Sequence, residues 1–241
     1  MPRIARIVAV DVPHHVTQRG NHRASIFFSD QDRYLYLELL ATHFAHQRID
    51  LIGYCLMTNH VHLLVIPRRP ESLALGIGRA HQEYSRWLQI RRRQTGHLFQ
   101  NRFHSSPLDH AHTWQALLYT ELNPVRAEMA HRAVDYPWSS ARAHAGLGPF
   151  PEWLSPAPWA NCYTSEQWAE ILEVGFRDHG QLERFRHALA SGRPVGSDVF
   201  IEELEARLGR TLRPSKGGRP SAAQTPPVSR HETFPAHPAS Q

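Results

Sequence analysis

Residues 50–67, DLIGYCLMTNHVHLLVIP, constrain the fold more than any other stretch. Two apolar runs of strand length flank Thr58-Asn59, a pair suited to a tight turn between antiparallel strands. The second run opens with His60-Val61-His62. Side chains alternate along a strand, so His60 and His62 share a face with Leu64 and Ile66, while Val61, Leu63 and Val65 share the other. The strand is therefore apolar at one end and opens onto something polar at the other. Two imidazoles at i and i+2 can share one metal ion; the alternative is a satisfied core histidine beside one at a sheet edge. The pair alone does not decide between them.

The elements around this hairpin read in the order β-α-β-β-α-β-α. A strand through residues 13–20, PHHVTQRG, leads into a turn where Gly20 and Asn21 tolerate positive φ. The next segment begins a helix at Ser29, a good N-cap, with acids in the first turn and Leu37, Leu40 and Phe44 at helical spacing. After the hairpin, residues 71–93 predict a second helix, residues 96–109 short extended segments, and residues 110–122 a third helix. This order predicts an α+β fold: a ferredoxin-like, split βαβ antiparallel sheet with helices packed on it.

Beyond residue 148 the texture becomes rich in proline and tryptophan, and then two helical patterns run over 165–189 and 198–208. A helical C-terminal extension over 149–213 is expected after a first domain over 1–148. Residues 214–241 have almost no aliphatic content and predict a disordered tail.

Composition narrows the function classes. The 241 residues include 41% hydrophobic side chains, and no apolar run approaches the ~20 residues of a membrane helix. No membrane partner is expected, and the N-terminus makes a poor signal peptide, which together predict a cytoplasmic protein. Cys55 and Cys162 form neither a disulfide framework nor a CxxC clip. The net charge is +5, and the cations are nearly all arginine, whose planar fork grips phosphate and stacks on bases. No glycine-rich phosphate loop is present, so no nucleotide cofactor is expected.

Which chemistry would two histidines serve? A histidine-triad hydrolase needs a third histidine where Leu64 stands, and a zincin needs HExxH, which is absent. With no carboxylate nearby in sequence, the pair needs a third ligand and leaves positions open for substrate. The third helix offers candidates. Trp114, Leu117 and Leu118 form its core stripe, while His112, Gln115, Tyr119 and Asn123 fall on a separate polar stripe. Asn123 precedes Pro124, so it also reads as the N-cap of a following helix.

VTQRGNHR, YCLMTNHVHLLV, FQNRFHSSPLD, LYTELNPVRAEM and YPWSSARAH, in this order and at these spacings, closely resemble the REP-associated tyrosine transposases, a branch of the HUH single-tyrosine superfamily. The resemblance spans about residues 10–145, and GSDVFIEELEARLGRTLRP followed by GGRP is similar to the C-terminal extension of that branch. It implies that His60 and His62 bind a divalent metal ion, magnesium or manganese, with zinc open, and that Asn123 is the third ligand. It makes Tyr119 the catalytic nucleophile of a single-strand DNA endonuclease and strand transferase. Attack would leave a 5′-phosphotyrosyl link and a free 3′-hydroxyl, acting on single-stranded or hairpin DNA of the REP type.

DNA contacts are expected from Arg79, Arg86 and Arg93, seven residues apart on one helix, with Arg91, Arg92 and Arg102 nearby; a solvated helix face is the competing reading for each. Arg19, His22 and Arg23 lie in the RGN stretch that the family places close to DNA. In the tail, Lys216 and Arg219 within KGGRP resemble an AT-hook that lacks its first arginine. The alternative function is a REP-hairpin binding protein that does not cut. A hydrolase of small phosphoesters is a third reading, disfavoured by the basic charge. Minimal superfamily members exchange tyrosine helices as dimers, whereas the extension here could favour a monomer or fold back over the active site, in which case truncation after Gly148 would raise cleavage.

Overall fold

The computed structural model describes residues 6–213. Lys216 and Arg219, with the tail expected to be disordered, lie outside the described residues. The chain runs β1 (His14–Arg19), α1 (Asp30–Gln47), β2 (Ile49–Met57), β3 (His60–Pro67), α2 (Ser72–Arg92), β4 (His104–Pro107) and α3 (His110–Glu121). The sheet order is β2-β3-β1-β4, with all neighbours antiparallel. This is the split βαβ arrangement that the order of elements predicts.

Alternation on β3 sorts the two cores. Val61, Leu63 and Val65 join one cluster with Tyr36, Leu40, Ile77 and Tyr84 of α1 and α2. Leu64 and Ile66 join another with Trp114 and Leu117 of α3. His60 and His62 therefore belong to the face that α3 covers. Gly53 lets α3 come close, since a Cβ there would lie 2.2 Å from Leu117 Cδ1.

Local chemistry fixes the ends of these elements. Ser29 caps α1 in a reciprocal box with Asp32, whose Oδ2 accepts the Ser29 N–H at 2.9 Å. The buried Asp32 also takes an ion pair from Arg91 at the end of α2, joining the two helices. Thr58 and Asn59 form the expected two-residue loop, but neither adopts positive φ. The loop is held from outside, because the Thr58 carbonyl accepts the N–H groups of Ile26 and Phe27 and that of Asn59 accepts Gly20.

The turn after β1 corrects an expectation. Its left-handed residues are His22 (φ 50) and Arg23 (φ 61), and Gly20 keeps φ −62. Gly20 is needed for space instead, since a Cβ would meet the Ala24 carbonyl oxygen at 2.1 Å. Two exposed non-glycine residues thus hold a conformation that costs roughly 1–3 kcal/mol each.

After α3 come α4 (Asn123–Arg126), α5 (Ala141–His144), α6 (Ala157–Ala160), α7 (Ser165–Val174), α8 (His179–Ala190) and α9 (Asp198–Leu208). The helical pattern over 165–189 is two helices, broken at Gly175, which adopts φ 61. Trp159, Trp168, Leu172 and Phe185 from this region share the α3 core, so α3 lies between the sheet and the extension. Tyr119, expected on a polar stripe away from the core, is consequently 7% exposed. No helix among the described residues is long and apolar enough to cross a membrane.

Candidate active site

Register alone assembles the floor of the site. Thr17 of β1 pairs with His62 of β3 on one side and His104 of β4 on the other, and Arg19 pairs with His60. With the alternation along β1, His15, Thr17, Arg19, His60, His62 and His104 share one face of three adjacent strands. All six line a cavity of about 340 Å³, closed further by Gln18, Gln100 and Asn101 and by Tyr119 of α3. Arg186, Leu189 and Ala190 of α8 complete its wall, and no carboxyl group lines it.

The rings are close together. The His60 and His62 centroids lie 5.0 Å apart, and Tyr119 lies 5.7 Å from His62 and 6.0 Å from His15. Arg126 stacks over the Tyr119 ring at 4.1 Å and donates to the Tyr119 carbonyl at 3.0 Å. These contacts hold both the ring and the backbone of Tyr119.

Each histidine of the pair is oriented through Nδ1. His60 Nδ1 meets Asn59 Oδ1 at 2.7 Å, and Asn59 Nδ2 donates to the Arg23 carbonyl at 3.0 Å, which fixes the amide with oxygen toward the ring. His60 Nδ1 must then be the donor. His62 Nδ1 meets His15 Nε2 at 3.0 Å. Neither Nε2 has a hydrogen-bond partner among the described residues. Burial, reinforced by Arg19 and Arg186, lowers the pKa of His60 to about 4. Burial also holds His62 well below the usual imidazole range, with His15 and His60 adding to it. Both rings are therefore neutral and present a lone pair, which is the state that ligates a metal.

Two imidazoles so oriented fit a divalent ion as Nε2 donors, with Asn59 and His15 behind them. Among the described residues no three or more His, Cys, Asp or Glu are grouped to hold a metal. The rest of a coordination shell must come from an amide, water or substrate oxygen. Asn123, expected as third ligand, does not line the cavity. Its Oδ1 accepts Arg126 Nη2 at 2.6 Å and its Nδ2 donates to the Thr120 carbonyl at 3.2 Å. Its N-cap reading fails as well: Asn123 is already inside α4, and Leu122 occupies the cap.

Of the expected DNA contacts, Arg19 alone lines the cavity. Exposed His22 and Arg23 stand in the adjoining turn. Arg79, Arg86 and Arg93 are exposed along α2 with no ion pair among the described residues, and Arg102 is exposed before β4. Arg91 is committed to Asp32, and Arg92 stacks over Phe28 at 3.6 Å. His15, Asn59 and Arg186 were not expected in the site. His15 was legible in principle, since HHVTQR places His15, Thr17 and Arg19 on one face opposite Val16; Arg186 carries no such signal.

A solved structure described as a REP-associated tyrosine transposase bound to a REP hairpin has the same fold. It matches with TM-score 0.53 and 13% identity, over 64% of this chain and 92% of that one. A Deinococcus radiodurans R1 crystal structure, provisionally described as a transposase, aligns over 50% of this chain and 96% of its own at 16% identity, with TM-score 0.35. No curated protein matches the chain. The antiparallel sheet with α3 across its histidine-bearing face is thus the fold of the first of these structures. The family model described as IS200-like transposase matches residues 9–121, from before β1 to the last residue of α3. Over these residues the chain is similar to the IS200-like transposases.

Proposed function

We propose that the protein cleaves and rejoins single-stranded DNA at REP-type hairpins, with Tyr119 as nucleophile. The observation that carries this reading is the Tyr119 ring 5.7 Å from His62 across a cavity without a carboxyl group. A negatively charged phosphodiester meets no like charge there, and a phenol stands beside the pair of neutral imidazoles. The REP hairpin as target is supported by the fold shared with the REP-associated protein and by the sequence motifs.

In the proposed step the Tyr119 oxygen attacks phosphorus, its proton leaving to solvent, while the bond from phosphorus to the 3′-oxygen breaks and that oxygen takes up a proton. The products are a 5′-phosphotyrosine and a free 3′-hydroxyl. Energy stays in the phosphotyrosine ester, so rejoining by a 3′-hydroxyl needs no nucleotide. A divalent ion, magnesium or manganese, held by His60 and His62 would supply charge withdrawal from a nonbridging phosphate oxygen. Asn59 and His15 hold the two rings, and Arg126 holds the Tyr119 ring and carbonyl.

The test is incubation of the full chain with end-labelled hairpin oligonucleotide and manganese, followed by denaturing electrophoresis. A covalent adduct is expected for wild type and none for Tyr119→Phe. Equal adduct from both would sink the nucleophile assignment. Retention of hairpin binding with no cleavage by wild type would establish the non-cutting alternative.

A further inference from the structure

We infer that Arg186 of α8 is a substrate-phosphate-binding residue of this site, so that the C-terminal extension supplies part of the DNA-processing machinery. The inference rests on the phosphoryl-transfer reading above. It concerns a residue 65 positions beyond the end of the segment that the family model matches, which closes at 121.

Arg186 lines the cavity with His60, His62 and Tyr119, and its helix is firmly seated. Leu182, Phe185 and Leu189 are the buried stripe of α8, each under 8% exposed. The Phe185 ring stands 6.3 Å from Tyr119 and 6.1 Å from His112. Ser106 Oγ of β4 donates to the Leu189 carbonyl at 2.9 Å. Arg186, one residue past Phe185, is thus placed by packing rather than by a loose tail.

What is the guanidinium for? Its ion pair among the described residues is with Glu183 at 3.5 Å, between side chains 62% and 57% exposed. Such a pair contributes about 0–1 kcal/mol and gives way readily to a better anion. No carboxyl group lines the cavity, so the charges of Arg186 and Arg19 are not neutralised within it. Arg186 also acts on the tyrosine's surroundings. Arg126, over the Tyr119 ring, has its pKa lowered first by burial and further by Arg186. A fork of donors in a cavity shared with Tyr119 and the imidazole pair, held only by an exposed ion pair to Glu183, suits a phosphodiester oxygen pair. Arg184, two positions away on the same helix, is paired with Asp178 and does not line the cavity.

The experiment measures binding of a fluorescent single-stranded oligonucleotide carrying a hairpin across a salt series, and adduct formation, for wild type, R186A, R186K and R184A. For R186A the slope of log K against log salt should fall by about 0.7, the value for one single-strand phosphate contact. Adduct formation should slow about tenfold or more, as expected when a donor to developing phosphoryl charge is lost. R186K should restore the slope but only part of the rate, being a point charge without the fork. R184A should match wild type in both readings. Equal slope changes for R186A and R184A, or an R186A chain with unchanged slope, would overturn the assignment. Faster cleavage by R186A would do so too, because Arg186 would then be a cover over the site. Should R186A lower the thermal midpoint, R186Q carries the same comparison. Failure of the phosphotyrosine reading is separately visible as an adduct unaffected by Tyr119→Phe, while the salt slope still reports the phosphate contact.

Discussion

His15 Nε2 stands 3.0 Å from His62 Nδ1, and the ring of His15, a residue buried at 3% exposure, makes no other hydrogen bond among the described residues. Burial holds the pKa of His15 at about 3, so it enters this contact as a neutral ring. If His62 ligates through Nε2, its Nδ1 carries the proton and His15 accepts it. His15 then fixes both the tautomer and the tilt of a ligand. We expect His15→Ala to weaken manganese binding about 10- to 100-fold, the range for losing an outer-shell partner. His15→Gln, which keeps an acceptor, should recover part of it. Calorimetric titration with manganese checks this, and equal affinities for wild type and His15→Ala would refute the role.

Asn123 and Arg126 give an expectation of opposite signs. The Asn123 oxygen that would reach an ion is held by Arg126, so ligand and guanidinium compete for it. If Asn123 completes the shell when the ion arrives, Asn123→Ala should loosen manganese binding, whereas Arg126→Gln should tighten it several-fold by removing both the competitor and a nearby positive charge. The readout is binding rather than cleavage, because Arg126 also holds Tyr119. An unchanged manganese affinity in Asn123→Ala would leave Asn123 as the residue that places Arg126.

The sheet and its histidine pair were legible because their periods are local. Alternation in YCLMTNHVHLLVIP assigns His60 and His62 to one face, and the structure puts that face under α3. What escaped depends on distant partners. Tyr119 looked half-exposed since a helix wheel shows one apolar stripe, and the second covering layer, Trp168 and Phe185, arrives about 50 to 65 residues later. Glu121 and His144, two buried polar residues of the α3 and α5 region, carry no local signal of their burial either. Gly175 was legible as a breaker but was overridden by a helical pattern on both sides. The outer shell needed strand register as well: only the pairing of Thr17 with His62 brings His15 diagonally onto that ring.

Buried neutral histidines make stability sensitive to acid. His81, under Tyr36 with its Nε2 2.9 Å from the hydroxyl, has a pKa lowered by burial to about 3, and His14 is lowered for the same reason to about 4. Unfolded histidine titrates near pH 6.5. Above that both states are neutral and stability is full. As pH falls from 6.5 toward 4 the unfolded chain takes protons that the folded one refuses, and each such histidine costs up to about 1.4 kcal/mol per pH unit. His81→Gln should reduce the dependence by about that slope in denaturant melts between pH 6 and 4.5. Parallel curves for the variant and wild type would show that His81 does not carry it.

The extension should prove inseparable from the catalytic half. Glu121, the last residue of α3, is fully buried, with its carboxyl group meeting Ser140 Oγ at 2.6 Å, His144 Nδ1 at 2.6 Å and Trp168 Nε1 at 2.8 Å. Trp168 comes from α7, so truncation after Gly148 removes one of three partners of a buried polar group and strips the cover from Trp114 and Leu117. Raised cleavage by the truncated chain was the expectation if the extension merely folded over the site. The shared core leads instead to a chain that no longer unfolds cooperatively and forms less adduct. Trp168→Phe isolates the polar part: it keeps most of the packing and leaves Glu121 one donor short, at a cost of about 1–3 kcal/mol. Denaturant unfolding followed by circular dichroism measures both. A truncated chain with the full-length midpoint, or one that cleaves faster while folded, would show that α3 stands without the extension.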